Sequence, residues 1–299
     1  MRLSKLLIVL LLVGTACSKD TRKTPKGYEY TVVKDGEGEA GKPGQYLVVN
    51  MLFKDGKDSV WNDTRGQEIP MLLALRELSP MDEGIEEIFA VLKKGDSVVF
   101  SIPAKVLFEK TWGQPVPNEV DSLSDFTFQI GVTDILDEEQ MRTLEQEMLT
   151  KLNASQLAKD LEQIDSYLAE SNISAEKTAS GLRYQITKPG SGDTAAQGSQ
   201  VSIHYAGYLM DGTLFDTSIE SVAKENGIFN EGRPYEPLSL SAGSGQVIRG
   251  WEEAILLMNK GSKMRVWIPS TLAYGPQARG GLIKENSILV FDMEMIEIN

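Results

Sequence analysis

Apolar positions along this chain follow three rhythms. Leu6 to Val13 is an unbroken apolar run of eight, preceded by Arg2 and Lys5. The run is too short to cross a bilayer as a helix and fits the apolar region of a secretory leader. Between Asp137 and Asn172 the period changes. Met141, Leu144, Met148, Leu152, Leu157, Leu161, Ile164 and Leu168 recur at three, four and five residues, in a stretch dense in Glu and Gln and free of Gly and Pro. That predicts an amphipathic helix, with Ser155 placed to cap a second helix if the first breaks at Asn153-Ala154-Ser155. The segment reads as an interdomain linker or helical hairpin packed on a neighbouring domain, or alternatively as a dimerisation stalk. On either side the pattern is short alternating strands punctuated by Gly, Asp-Gly and Pro.

Those flanking stretches share one order of landmarks. Each opens with Gly and a short strand, Gly27 to Val32 and Gly181 to Ile186, followed by a longer strand, Gln45 to Phe53 and Gln200 to Leu209. Asp55-Gly56 and Asp211-Gly212 then predict turns, and Asp63-Thr64 lines up with Asp216-Thr217. Gly84-Ile85-Glu86-Glu87-Ile88 matches Gly250-Trp251-Glu252-Glu253-Ala254 as a short helix. Lys94-Gly95 and Lys260-Gly261 supply a glycine suited to a left-handed cap. An offset of 166 holds from Gly84/Gly250 to Pro103/Pro269, and 163 relates the last strands, Phe126 to Ile135 and Leu289 to Ile298. The expected class is α+β: two copies of one domain, each a twisted antiparallel sheet wrapped around a short helix, joined by a helical linker.

Composition narrows the function. The formal net charge of -13 argues against a nucleic-acid partner, whose phosphates call for Lys and Arg. One cysteine, Cys17, and one histidine, His204, rule out an intramolecular disulfide and leave no Cys/His zinc site to assemble. Gly14-Thr15-Ala16-Cys17 resembles the lipobox of bacterial lipoproteins, with Gly14 in place of the more usual Leu. The resemblance implies acylation of Cys17 and a lipid anchor in the bacterial cell envelope, at the outer membrane facing the periplasm. A plain cleaved leader is the alternative. The expected divisions are a signal peptide at 1–17, a tether at 18–26, a first domain at 27–136, the linker at 137–177 and a second domain at 178–299.

The second copy carries the runs Val201-Ser202-Ile203-His204-Tyr205, Leu214-Phe215-Asp216-Thr217, Gly245-Gln246-Val247-Ile248-Arg249-Gly250-Trp251-Glu252-Glu253, Ala273-Tyr274-Gly275 and Leu289-Val290-Phe291-Asp292. This segment resembles the FKBP family of peptidyl-prolyl cis-trans isomerases. The resemblance implies a catalytic set of Tyr205, Phe215, Asp216, Ile248, Trp251 and Tyr274, with the substrate's proline ring over the Trp251 indole. It implies substrate-binding walls from Val247 and Phe291, Leu238 where the family often has Phe, and Leu282 and Ile283 as apolar residues of the loop after Tyr274 that overhang the site. It implies that the Ile248 N–H and the Tyr274 hydroxyl donate to substrate carbonyls, and that Asp216 orients a wall residue with Arg233 as its partner. It implies proline-containing polypeptides as substrates, assistance to the folding of exported proteins, and no cofactor or metal. The residue types suit the chemistry. Rotation about a peptide bond costs ~18–20 kcal/mol because of C–N double-bond character, and an X–Pro bond has cis and trans forms of similar energy. The twisted amide separates less charge than the planar one, so an apolar pocket with fixed donors favours it without nucleophile or base.

Taken without the resemblance, Trp251, Phe215 and Phe291 read as ordinary core residues of a small β domain. His204 alternates away from Tyr205 and reads as structural. No Gly-x-Ser-x-Gly elbow accompanies it. In the first copy Tyr205 corresponds to about Val49, Val247-Ile248 to Met81-Asp82, Trp251 to Ile85 and Tyr274 to Phe108, while Phe128 matches Phe291. That copy is expected to keep the fold and lose the activity. Thr217 to Glu236 is about a dozen residues longer than in compact members of the family, with Glu220 to Glu225 as a short helix. The extra residues read equally as a shaper of substrate choice or as a neutral loop. The rival function is a non-catalytic peptide-binding chaperone or interaction module, and a homodimer through the helix or first domain is the remaining partner expectation.

Overall fold

The computed structural model describes residues 20–67, 69–79 and 82–299, which form two compact units dividing between Met148 and Leu149. Cys17 and the apolar run before it lie outside the described residues, as does Met81. Both units use one sheet order. In the first, the strands run Asp20–Lys23, Glu29–Lys34, Ser97–Pro103, Asp125–Leu136, Tyr46–Lys54 and Val60–Asp63, with Met71–Ala74 also paired to Tyr46–Lys54. In the second the order is Glu176–Lys177, Arg183–Lys188, Lys263–Ile268, Leu289–Ile298, Gln200–Leu209 and Leu214–Thr217, with Leu238–Ser241 also on Gln200–Leu209. Every pairing is antiparallel. Asp20–Lys23, inside the stretch expected to be a tether, is therefore a strand of the first sheet. Asp20–Lys23 pairs with Glu29–Lys34 as Glu176–Lys177 pairs with Arg183–Lys188, so the repeat begins earlier than its alternating pattern suggests.

The helices in chain order are α1 (Ile85–Phe89), α2 (Glu138–Glu170), α3 (Glu220–Glu225) and α4 (Arg249–Leu256), and each sheet curls around a short one, α1 in the first unit and α4 in the second. On α4, Trp251, Ala254 and Ile255 are buried at helical spacing, and the core they enter includes Val201, Ile203, Met264, Ile268 and Leu289. Gly250 lets the helix start lie against the strand beneath it: a Cβ there would come within 2.4 Å of Ile268 Cγ2. Gly95 and Gly261 do take left-handed φ, +89° and +81°, but they are not helix caps. The helices stop at Phe89 and Leu256, and these glycines turn the chain into Ser97–Pro103 and Lys263–Ile268.

The helix α2 (Glu138–Glu170) is continuous through Asn153-Ala154-Ser155. Asn and Ser cost a few tenths of a kcal/mol in a helix interior, too little to break it without a competing cap. Its ends explain its span. The Asp137 carboxylate accepts from the Gln140 N–H at 2.8 Å while Gln140 Oε1 accepts from the Asp137 N–H at 3.0 Å, a reciprocal capping box. Asn172 takes a left-handed φ of +56°, and the Ile173 N–H reaches the Leu168 carbonyl at 2.9 Å, closing the helix. Within the second unit, Ile164 and Leu168 bury against Trp267, Ile288 and Val290 on the sheet face away from α4. The second unit thus takes residues 149–177 into its own packing, and its boundary lies well before Thr178.

Candidate active site

Strand register sets the site in the second unit. Gln200–Leu209 alternates, so Val201, Ile203 and Tyr205 face α4 while Ser202 and His204 face outward. His204 holds Ser218 Oγ with Nδ1 at 3.0 Å, on the side opposite the α4 core. Across the ladder Gly207 stands opposite both Phe291 and Asp216. A Cβ at Gly207 would come within 2.6 Å of the Phe291 ring and 2.7 Å of Phe215, so this glycine is what lets the two rings meet. Their centroids lie 5.6 Å apart, edge to face at 89°. The Trp251 indole is then held by Tyr205, 5.1 Å at 78°, and by Phe291, 5.1 Å at 87°. Its buried Nε1 has no hydrogen-bond partner among the described residues, so ring packing fixes the indole plane.

Above the indole opens a cavity of about 360 Å3. It is lined by the rings of Tyr205, Phe215, Trp251, Tyr274 and Phe291, by Leu238, Val247 and Ile248, and by Asp216. Gln246 also lines it, and sequence reasoning passed over this residue as the polar member of the run before Trp251. Leu282 and Ile283, expected to overhang the site, are not among the residues that line the cavity. Leu282 is exposed, and Ile283 is buried in the core cluster that also holds Trp251 and Phe291. The cause is a turn through Gly280-Gly281, both at positive φ, closed by paired backbone bonds between Arg279 and Ile283. It sends residue 282 outward and residue 283 inward.

A polar brace holds the Tyr205 wall. Its hydroxyl donates to Asp216 Oδ2 at 2.8 Å and accepts from Arg233 Nη2 at 3.1 Å, while Arg233 Nη1 donates to Asp216 Oδ1. Burial, and then the Asp216 carboxylate, push the Tyr205 phenol up to about 12. The hydrogen bond to Asp216 raises Arg233 above its usual range. Tyr205 therefore remains an uncharged phenol at any physiological pH.

Two donors at the cavity are uncommitted. The Ile248 N–H, at the entry to α4, makes no hydrogen bond among the described residues, and neither does the Tyr274 hydroxyl. The Tyr274 loop is anchored from α2. Asp160, 1% exposed, accepts from the Ser270 N–H at 2.7 Å and from Ser270 Oγ at 2.6 Å, and Ser270 in turn accepts from the Gly275 N–H at 2.9 Å. No sequence motif pointed to Asp160, which lies 110 residues before its partner.

The first unit keeps the frame with other side chains. Pairing with Phe128 puts Phe53 where Gly207 stands, which places Met51, not Val49, at the Tyr205 position. By the same ladder Asn62 stands for Asp216 and Trp61 for Phe215, so Asp63-Thr64 matches Thr217-Ser218. Thr64 Oγ1 takes the Met51 N–H at 2.8 Å just as Ser218 Oγ takes that of Tyr205. The Phe53 ring fills the space that Gly207 leaves open, stacking on Phe128 at 5.0 Å. At the Ile248 position, the Asp82 N–H is committed to the Ser79 carbonyl, and the Tyr274 position is a buried Phe108.

The cavity is thus apolar and aromatic, with two uncommitted donors among its lining residues and with the Asp216–Arg233 pair turned to bracing a wall. The family model described as FKBP-type peptidyl-prolyl cis-trans isomerase matches residues 192–296. A probable FKBP-type peptidyl-prolyl cis-trans isomerase of Haemophilus influenzae is 37% identical over 153 residues, which cover 50% of this chain and 57% of that protein. An FK506-binding protein of Neisseria meningitidis serogroup B is 33% identical over 118 residues, 40% of this chain and 96% of that protein. A crystal structure of a peptidyl-prolyl cis-trans isomerase from Pseudomonas syringae pv. tomato is 28% identical, covering 48% of this chain and 95% of that one at a TM-score of 0.37. The chain belongs to the FKBP-type peptidyl-prolyl cis-trans isomerase family.

Proposed function

We propose that the second unit catalyses cis–trans rotation of X–Pro bonds in exported polypeptides, and that the first unit does not. The observation that carries this reading is the pairing of the Trp251-floored cavity with two uncommitted donors, the Ile248 N–H and the Tyr274 hydroxyl. A proline ring on the indole leaves its amide among aromatic walls, where water cannot stabilise the charge separation of the planar form. As the bond twists, that separation falls, and the two fixed donors hold the substrate backbone without reorganising. The step moves no proton and breaks no bond, so Asp216 and Arg233 serve geometry alone.

The N-terminal pattern supports an envelope location. Arg2 and Lys5, the apolar run Leu6 to Val13 and Cys17 as the chain's one cysteine suit a leader followed by acylation at that residue. In a bacterial host the native chain is then expected in the membrane fraction with a labelled fatty acid attached, and Cys17→Ala in the soluble fraction. Soluble wild-type protein would contradict the anchor. For the activity, the full chain should speed a proline-limited refolding reaction, and Trp251→Leu should not. Equal acceleration by both would favour the chaperone reading.

A further inference from the structure

A second hollow of about 500 Å3 adjoins the aromatic cavity and shares Tyr205 and Leu238 with it. A polypeptide whose proline occupies the first cavity continues beyond it, and one route lies over this common wall. The hollow is chemically unlike the cavity. Its base is hydroxyls, with Ser202 Oγ and Ser239 Oγ 3.0 Å apart and Ser218 alongside. Its outer side comes from the segment between Ser218 and Leu238. That segment is longer than its counterpart in the first unit, since the offset between the copies grows from 154 at Thr64/Ser218 to 166 at Gly84/Gly250.

Two charged residues of this segment line the hollow, Arg233 and Glu236. Arg233 is neutralised by Asp216. Glu236 is exposed and makes no ion pair or hydrogen bond among the described residues. The unbalanced charge of the hollow is therefore a single carboxylate. Leu238, 37% exposed, and Pro237 supply an apolar strip beside it. A long cationic side chain matches both features, with methylenes on apolar surface and its head group in water near an anion.

We propose that this hollow is a second substrate subsite, which takes the side chain of a Lys or Arg adjoining the isomerised proline and pairs it with Glu236. The subsite rests on the isomerase reading above. The test uses the full chain and short peptides with one proline. Lys, Gln or Glu is placed in turn one residue before, one after and two after the proline, and isomerisation is followed by exchange NMR. At one of those positions kcat/KM should rank Lys over Gln over Glu. The Lys-to-Gln ratio should be about two- to fivefold, the worth of one solvated ion pair, and should come through KM. Glu236→Gln should bring that ratio close to one and Glu236→Lys should invert it. The subsite is overturned if the wild-type chain isomerises the Gln peptides but treats Lys and Gln alike at all three positions, or if the ratio survives in Glu236→Gln. Failure to isomerise any peptide would remove the isomerase reading, and the subsite with it.

Discussion

Tyr274 and Tyr205 are both tyrosines of one cavity, yet their hydroxyls are committed differently. The Tyr274 hydroxyl makes no hydrogen bond among the described residues, so its loss leaves none of their buried groups unpaired. Tyr274→Phe should lower kcat/KM about three- to tenfold, the value of one neutral hydrogen bond made in the transition state, with little change in thermal stability. A steady-state comparison of the two proteins checks this. The Tyr205 hydroxyl is part of the brace with Asp216 and Arg233, so Tyr205→Phe should cost stability, roughly 1–2 kcal/mol at pH 8. The pH dependence has a definite sign. The folded-state value of about 12 stands above the phenol's unfolded value near 10, so the brace stabilises in full below about pH 10 and loses its contribution as pH climbs toward 12. Denaturant titrations should therefore show the wild-type advantage over Tyr205→Phe shrinking above pH 10, and a constant advantage would contradict the assignment. At this scale the sequence was informative for the rings, because the run ending at Trp251 and the flanking strands carry their own register. Gln246 and the outward turn of Leu282 were not legible: one is a polar residue in an apolar run, the other depends on a glycine turn whose closure only coordinates reveal.

The connecting helix shows what periodicity can and cannot predict about an element. Its existence and extent were readable from the spacing of Met141 to Leu168. Its role was not, because the same apolar stripe serves a linker, a hairpin or a stalk. The structure gives its later half to the second unit through Ile164, Leu168 and the buried Asp160 carboxylate. Asp160 is a positioning residue: it touches Ser270, and Ser270 holds the backbone of the loop that presents Tyr274. Asp160→Ala should destabilise the second unit by about 1–3 kcal/mol, since the Ser270 N–H and hydroxyl are left buried without acceptors. At temperatures where the variant stays folded, kcat/KM should still fall, because the Tyr274 loop loses its tether. Unchanged kcat/KM at reduced stability would make Asp160 purely structural. A fragment starting at Thr178 should melt well below one starting at Leu149, since it exposes Trp267, Ile288 and Val290.

Two units of the chain share one sheet order, and where Gly207 stands in the second the first carries the ring of Phe53. Landmark offsets were enough to reveal two copies, but not to align the strands, because the Asp-Gly and Asp-Thr landmarks stand at offsets of 156 and 153, on either side of the 154 that relates Phe53 to Gly207 in the ladder. Only the hydrogen-bonded ladder showed that Phe53 replaces Gly207 and Asn62 replaces Asp216. The glycine-to-aromatic change stands beside the loss of Trp251, Tyr274 and Asp216, which are Ile85, Phe108 and Asn62 in the first unit. All isomerase activity of the full chain should therefore depend on the second unit. The most direct measurement is the rate of X–Pro exchange by the intact protein and by its Trp251→Leu variant, with circular dichroism showing that both are folded. The account predicts marked acceleration by the wild type and the uncatalysed rate for the variant. Undiminished exchange in the folded variant, or no acceleration by the wild type, would contradict it.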